Sequence, residues 1–154
     1  MAMSHPRELV RQFLAVVRSG SAPGRAADFL APQVIAHQLV SEAPEDVLRT
    51  SDEYAAHVRE FLATWGPFEL EVTELLADGD RVYARWVQRG RHLEPVDGHP
   101  PSGLPVHELA SAVYRVADGR IVEYWIQIDR AGTDAQLRRN SRVTSEGVRP
   151  AGDR

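Results

Sequence analysis

The spacing of apolar residues divides the chain near residue 67 into a helical first part and an extended second part. In the first segment, apolar side chains recur about every 3.6 residues, as in a helix. This helix has Pro6 in its first turn, where proline is common, and ends before Gly20, because glycine is common just after a helix. The segment QVIAHQLV then predicts a short strand that carries His37, and the acidic segment EAPEDVLR predicts a loop.

A second helix has both a start signal and a stop signal. The segment TSDE places Glu53 three residues after Thr50, which is the spacing of an N-terminal capping box. Apolar residues at helical spacing continue to Trp65, and Gly66 and Pro67 end the pattern. Both predicted helices therefore have one apolar face that can pack against the rest of the protein.

The second part of the chain alternates apolar and polar residues in FELEVTELLAD, RVYARWVQRGRH, VHELASAVYRVA and RIVEYWIQID. Alternation of this kind predicts strands, and the Asp-Gly pairs in ADGD and ADGR predict hairpin turns. The segment LEPVDGHPPSGLP between the second and third strands predicts a loop that is long enough to line a pocket mouth. After the strands, RAGTDAQLRR predicts a last helical turn or two.

Helices followed by an antiparallel meander indicate an α+β fold, with the helices on one face of a curved sheet. A strongly bent sheet that is closed by helices forms a cone, and its inside suits a small-molecule pocket. We expect one cone domain over residues 1–140 and a flexible C-terminal tail over residues 141–154, where apolar periodicity is lost.

Composition removes several classes of function. The 154 residues are 43% hydrophobic and 26% charged, which is typical of a folded soluble protein. There is no cysteine and no lysine, so disulfides, thiolate chemistry and Schiff-base chemistry are excluded. The net charge of −4 disfavours a nucleic-acid partner. Charges interrupt the apolar positions of the first 20 residues, and no long apolar run follows, so we expect a cytoplasmic protein without a membrane segment.

Five short motifs in a fixed order resemble one known family. They are GRH, PPSG, ADGRI, the tryptophan of EYW, and the series Asp129, Gly132, Gln136 and Leu137. Together they resemble the SnoaL-like polyketide cyclases, over roughly residues 8 to 138, within the nuclear transport factor 2-like cone fold. The resemblance implies aldol cyclases of aromatic polyketides, related hydroxylases and other ring-forming enzymes, which generally need no metal or cofactor.

The resemblance also identifies a departure from the family pattern. In the family's aldol cyclases an acid directly follows the position of Trp125, and a histidine or another polar group faces it from the preceding strand. This chain has Ile126 at the first place and, by alignment of the strands, Ala112 at the second. The usual acid/base pair is therefore replaced by apolar residues, because neither side chain can accept a proton.

Three residues are candidates for acid/base catalysis. His37 lies at a place where the family often has histidine, and histidine titrates near neutral pH, although it could instead hydrogen-bond a neighbouring loop. Glu108 shares strand parity with Ala112, so it faces the pocket if Ala112 does, unless it is solvated at the rim. Asp129 follows the last strand at the start of a helix, where aspartate is a common N-cap. Capping is therefore favoured over a role in the site or an ion pair with an arginine.

Other polar and aromatic residues are candidates for substrate binding. Gln88 is expected to point inward, where its amide requires a partner or a ligand. Two histidines flank the Pro/Gly loop, and aromatic residues at strand spacing form either pocket walls or core. The expected substrate-binding set is Trp65, Trp86, Gln88, His92, His107, Ala112, Tyr124 and Ile126. His57 and His99 are interpreted as structural, and no residue spacing indicates a metal site.

The leading hypothesis is a cofactor-independent enzyme of polyketide-type biosynthesis that cyclises, rearranges or dehydrates a small hydrophobic intermediate by acid/base catalysis. A non-catalytic small-molecule-binding protein and an epoxide-opening hydrolase or cyclase remain alternatives. The predicted outer face of the sheet bears Leu109, Val113, Ile121 and Trp125, which is apolar enough to predict a homodimer through the sheet. The substrate, regiochemistry and pathway are not encoded in recognisable motifs.

Overall fold

The computed structural model describes residues 5–147, which form an α+β fold with one curved six-stranded sheet. The N-terminal helices and the helix before the third strand lie against one face of this sheet, as predicted. The elements are α1 (Pro6–Phe13), a π-helical turn (Leu14–Arg18), a 3-10 helix (Pro23–Asp28), β1 (Leu30–Gln38), β2 (Glu45–Thr50), α2 (Ser51–Trp65), β3 (Glu69–Asp78), β4 (Arg81–Arg91), β5 (Pro105–Ala117), β6 (Arg120–Ile128) and α3 (Arg130–Gly147).

The strand order in the sheet is β2-β1-β6-β5-β4-β3. The pair β1 and β6 is parallel, and all other neighbours are antiparallel. The inner face of the sheet is apolar, and it packs against α1 and α2 to form the main core. Phe13 of α1 lies in the centre of this core, with its ring 5.3 Å from that of Tyr54 on α2 and 5.8 Å from that of Tyr114 on β5.

The local signals in the sequence form the structures that they predict. The backbone N–H of Glu53 donates to the side-chain hydroxyl of Thr50 at 3.1 Å, which caps α2. The β5–β6 hairpin turns through Asp118 and Gly119, whose φ angles are 51° and 73°. Two successive positive φ angles are the geometry that makes Asp-Gly favourable at such a turn.

Two elements differ from the prediction. The predicted loop EAPEDVLR contains most of β2, an edge strand that pairs with β1 through residues 45–50. Its acidic residues are exposed while Val47 packs against the core. Charged residues are common on edge strands, and here they made the sequence look like a loop. Helix α3 continues to Gly147, because Leu137 is buried and the Asn140 side-chain N–H donates to the Pro105 carbonyl at 3.2 Å.

The predicted tail boundary at residue 141 is therefore wrong for residues 141–147, which are helical. Residues 148–154 of that tail lie outside the described residues. A third correction concerns Ile121, which was expected on the outer face but is fully buried. A register shift between Arg115 and Val116 reverses the faces at this end of β6, as a β-bulge does.

Candidate active site

A narrow cavity lies between the inner face of the sheet and the two N-terminal helices. Its volume is about 30 Å³, which is room for about one water molecule. The helices contribute two basic side chains and the strands contribute one acid. The cavity is lined by Arg18, Gln38, Tyr54, His57, Phe61, Glu108, Ala110, Tyr114, Tyr124, Ile126 and Ile128.

Arg18 is the most buried charged residue at this cavity, with only 4% of its surface exposed. It ends the π-helical turn, in which the Ser19 N–H donates to the Leu14 carbonyl five residues back at 2.9 Å. The Nη1 group donates to Oε1 of Gln88 at 2.9 Å, and the guanidinium lies 4.5 Å from the centre of the Phe61 ring. A π-helical turn often occurs at a functional site, which makes this arginine a candidate binding group.

Glu108 is the only acid among the residues that line the cavity. Burial raises the pKa of its carboxyl group, and the nearby charge of Arg18 opposes this change. Burial raises the pKa because removal from water disfavours the charged form of a carboxyl group. The carboxyl group can therefore hold its proton closer to neutral pH than an exposed glutamate can.

His57 projects from α2 into the same cavity. Its pKa is lowered to about 4, mainly by burial and also by the charges of Arg49 and Arg18. Glu60 lies 3.8 Å away, which is too far for a hydrogen bond, so this carboxylate does not hold the ring in its charged form. His57 is accordingly a neutral imidazole near pH 7, able to accept or donate a proton.

Three tyrosines complete the wall. Burial raises the pKa values of Tyr54, Tyr114 and Tyr124, so their hydroxyl groups stay protonated over the physiological range. Protonated phenols can donate hydrogen bonds to a carbonyl oxygen. Arg18, His57 and Glu108, which we call the interior site, thus combine a fixed cation, a neutral base and a carboxyl group inside an aromatic cavity.

The structure places His37 away from this cavity, so the prediction that it lies at the pocket is wrong. Its neighbour Ala36 is buried on the inner face, and strand alternation puts His37 on the outer face. Its Nδ1 lies 2.6 Å from Oδ1 of Asp46, and its Nε2 lies 2.6 Å from Oε2 of Glu123. The Nε of Arg115 donates to the other oxygen of Glu123 at 2.9 Å, and these four residues form what we call the outer cluster.

Asp129 also lies outside the cavity. Its carboxylate accepts the backbone N–H of Gly132 at 3.0 Å, at the start of α3. A Cβ at position 132 would come within 2.2 Å of that carboxylate, so any other residue there would displace the Asp129 side chain from its cap. Gln136 binds both backbone groups of His107 on β5, at 2.8 and 2.7 Å. The motif that contains Asp129, Gly132 and Gln136 therefore fastens α3 to the sheet.

The residues near the Pro/Gly loop do not line the interior cavity. Trp65 and His107 line a separate outer crevice of about 290 Å³ with Arg89, Arg91 and others. His92 is not at a pocket mouth, because only 1% of its surface is exposed. Its ring centre lies 5.8 Å from that of Trp65. These three predicted substrate contacts therefore lie apart from the cavity that contains Glu108.

The remaining predicted residues are on the inner face. Tyr124 and Ile126 line the cavity, and Ala112 pairs directly with Ile126 across β5 and β6, as the alignment of strands indicated. Gln88 is 3% exposed and points inward, with Arg18 as the partner that its amide requires. Trp86 is fully buried below Arg18, at 5.6 Å from its guanidinium, and is part of the core.

Sequence reasoning missed two of the three interior-site residues, although both leave a signal. Arg18 follows Leu14 by four positions, so it lies on the apolar face of the first helical segment. His57 lies three residues after Tyr54 and four before Phe61, which are both on the apolar face of α2. A charged or titratable residue on an apolar helical face indicates an interior role, and this signal was available.

Two further observations concern residues 5–147. No group of three or more histidine and acidic side chains there is arranged to hold a metal ion. Within the same residues, no helix combines the length and the apolar character that a bilayer crossing requires.

Comparison with known proteins agrees with the fold and the motif series. Residues 8–137 match the family model for SnoaL-like polyketide cyclase, whereas no curated protein matches the sequence. A solved structure from Acidithiobacillus ferrooxidans, described as a polyketide cyclase, is 25% identical, with a TM-score of 0.76, over 91% of this chain and 99% of that chain.

Two structures from Streptomyces are also similar. IdmH from Streptomyces antibioticus, described as a polyketide cyclase, is 27% identical with a TM-score of 0.71, over 86% of this chain and 98% of that chain. AclR from Streptomyces galilaeus, described as a hydroxylase, shares the fold at 21% identity and a TM-score of 0.72, over 88% of this chain and 86% of that chain. The family model covers most of the chain, and this chain therefore belongs to the SnoaL-like polyketide cyclase family, with the nuclear transport factor 2-like fold.

Proposed function

We propose that this protein is a cofactor-independent enzyme that cyclises, rearranges or dehydrates a small hydrophobic polyketide-type intermediate by acid/base catalysis. The observation that carries the proposal is Glu108, a half-buried carboxyl group with a raised pKa in an aromatic cavity. An acid or base is most effective when its pKa lies near the working pH. Family membership supports the substrate class.

In this proposal Glu108 exchanges a proton with the substrate, in place of the acid that the family's aldol cyclases have after Trp125. Ring closure of the aldol type requires removal of a proton from carbon and delivery of a proton to a carbonyl oxygen. The hydroxyl groups of Tyr54, Tyr114 and Tyr124 would orient that carbonyl oxygen. The neutral imidazole of His57 would relay the second proton, since one of its ring nitrogens can accept a proton while the other donates one.

Substrate entry requires the cavity to widen, because about 30 Å³ does not hold a polyketide. Ile128 is 39% exposed, so the opening of the cavity lies on its side. Phe61 covers Arg18 from α2 and is partly exposed. Rotation of these two side chains would widen the cavity on this side.

Two alternatives make different demands on the same cavity. A non-catalytic binding protein would bind a hydrophobic ligand without turnover, and the apolar pair Ala112 and Ile126 favours it. An epoxide-opening enzyme would use an Asp–Arg–Asp type of network. The cavity offers Arg18 with a single acid, Glu108, so it supplies only part of such a network.

Hydrogen exchange at a carbon acid tests the proposal. Phenylacetone in D₂O exchanges its acidic α-hydrogens slowly, and proton NMR measures the rate. The parent protein is expected to accelerate this exchange, and Glu108→Gln is expected to lower the acceleration by about 100-fold or more, the usual contribution of a general acid/base.

The matched control is Glu74→Gln, because Glu74 lies on the outer side of β3 with 44% of its side chain exposed and pairs with Arg85. This variant should exchange at the parental rate. No acceleration by the parent protein would contradict catalysis and favour the binding protein. Equal rates for the parent and Glu108→Gln would remove Glu108 from the mechanism.

Assembly and location remain predictions. Leu109 is 45% exposed and Ile35 is 36% exposed on the outer face of the sheet, which supports a homodimer through this face. Buried Ile121 no longer belongs to that argument. A monomer in light scattering at micromolar concentration would contradict the dimer. Cytoplasmic location and the absence of a nucleic-acid partner are expected from the sequence alone.

A further inference from the structure

Two arginines near the interior site have no acidic partner. Neither Arg18 nor Arg49 forms an ion pair with any of residues 5–147, whereas Arg85, Arg89 and Arg115 on the outer face all do. Arg49 lies on β2 opposite buried Val34, and its Nε is buried without a hydrogen-bond acceptor in the described part of the chain. Arg18 lines the cavity, and Arg49 lies outside its lining but close enough for its charge to lower the pKa of His57.

The position of Arg18 is costly unless something compensates its charge. Burial of a cation without a counter-ion is strongly unfavourable, because the charge loses its hydration. Within residues 5–147, its side chain donates one hydrogen bond, to Gln88, and the faces of Phe61 and Trp86 supply further but weaker stabilisation. A guanidinium has five N–H donors, so donors remain for a ligand in the cavity that Arg18 lines.

Glu108 does not serve as the missing counter-ion. Its carboxyl group forms no ion pair with Arg18, and burial favours its neutral form. Gln88, the residue opposite Glu108 on β4, takes the hydrogen bond that a structural carboxylate would otherwise receive from Arg18. The arrangement leaves one positive charge at the inner end of an aromatic cavity.

We infer that the cavity binds a substrate that carries a carboxylate, and that Arg18 binds this carboxylate. The planar guanidinium matches a carboxylate in shape and charge, and one guanidinium suits a group with one negative charge better than a phosphate with two. Tyr54, Tyr114 and Tyr124 would contact the apolar or aromatic part of the same molecule. That this ligand is a substrate rests on the proposed function, but carboxylate binding can be tested without that function.

Calorimetric titration with benzoate and with its neutral analogue benzamide tests the inference. The parent protein is expected to bind benzoate at least about tenfold more tightly than benzamide, because a charge-assisted hydrogen bond contributes more than a neutral one. Arg18→Met is expected to remove this preference. The matched control is Arg85→Met, which removes an outer-face arginine that is 45% exposed and should keep the preference.

A second variant gives the result even if Arg18→Met does not fold. Glu108→Gln keeps the shape of the side chain and removes its negative charge at the pH where it ionises, so benzoate should bind more tightly than to the parent. Equal affinities for benzoate and benzamide, or no benzoate binding to the parent, would overturn the inference. A preference that persists in folded Arg18→Met would also overturn it, since the carboxylate would then bind elsewhere.

These outcomes are separate from those of the exchange experiment. Benzoate binding without acceleration of phenylacetone exchange would keep the carboxylate site and reject the enzyme. Acceleration that depends on Glu108, without a preference for benzoate, would keep the enzyme and reject the carboxylate site.

Discussion

The interior site and the outer cluster contain the same kinds of side chain on opposite faces of one sheet, yet they differ in how the charges are compensated. In the outer cluster, His37 is held between Asp46 and Glu123, and Glu123 is also held by Arg115. The His37 ring stacks on Trp125 with its centre at 4.9 Å. In the interior site, Arg18 has no acidic partner among residues 5–147, and Glu108 has a raised pKa.

This difference shows why a histidine that resembles the family's pattern is not the best catalytic candidate. Both ring nitrogens of His37 are bound to carboxylates, so none is available to a substrate, and the hydrogen bond with Glu123 raises its pKa. His57 and Glu108 are the reverse, because burial shifts their pKa values towards the neutral forms and both side chains line a cavity. Compensated charges stabilise the fold, whereas uncompensated charges are available for chemistry.

The largest effect on stability is expected for Ile126→Asp, which places a second carboxyl group at the cavity, opposite apolar Ala112. An unpaired polar group there costs roughly 1 to 3 kcal/mol of the free energy of unfolding. The variant should not become an aldol cyclase, since Ala112 opposite cannot act as its partner. Gln127→Asp is the control on the next residue, which is exposed, and should change stability by less than about 0.5 kcal/mol. Equal denaturant stability of the two variants would mean that position 126 faces water.

A pH-dependent effect is expected from His57, whose folded pKa of about 4 lies below its ordinary value of 6.5. Between these values the unfolded chain binds a proton that the folded chain does not, so the protein becomes less stable as the pH falls. His57→Gln should reduce this slope between pH 6.5 and 4.5, in denaturant unfolding measured at several pH values. His92 has a lowered pKa and contributes in the same direction, so part of the slope remains. An unchanged slope would mean that His57 is solvated.

A smaller effect of the opposite sign is expected from His37. Its raised pKa means that its stabilising contribution is complete below pH 6.5 and is lost as the pH rises through the folded pKa. Glu123 has a lowered pKa, with the His37 hydrogen bond as the main cause, so its contribution is lost only as the pH falls below 4.5. His37→Gln should therefore cost about 1 kcal/mol near pH 6 and leave phenylacetone exchange unchanged. A large loss of exchange would transfer the chemistry to the outer cluster.

The smallest effect is expected for removal of the residues that follow Ser141. Thr144 bonds only to carbonyl groups of its own helix, and Val143 is 53% exposed. A chain that ends at Ser141 should melt within about 2 °C of the parent in a calorimetric scan, because little apolar surface is lost. A drop of many degrees would show that the removed segment packs on the core.

Much of the fold could be predicted from local patterns. The four long strands alternate regularly, and their parity correctly placed Gln88, Ala112 and Glu108 on one face. Parity failed where the sheet is irregular or a strand is short. The bulge near Arg115 reversed Ile121, and the mostly apolar run around His37 gave no alternation from which its face could be determined.

The candidate site was harder to predict because the family motifs mainly serve the fold. Asp129, Gly132 and Gln136 hold α3 on β5, and the backbone of His92 in the GRH motif pairs with Gly103 and Leu104. The interior site instead depends on single residues from α2, β5 and the π-helical turn. Such a combination is visible only when tertiary packing brings separate helices over the sheet.

The protonation of Glu108 is the most direct test of the contrast between the two clusters. Carbon-13 NMR of the side-chain carboxyl group, with Glu108→Gln used to assign the signal, measures its pKa in the intact protein. The account predicts a pKa above the ordinary 4.5, because burial raises it, and a further increase in Arg18→Met, because the nearby charge of Arg18 lowers it. A pKa at or below 4.5 would contradict the account, since Glu108 would then be as well compensated as Glu123.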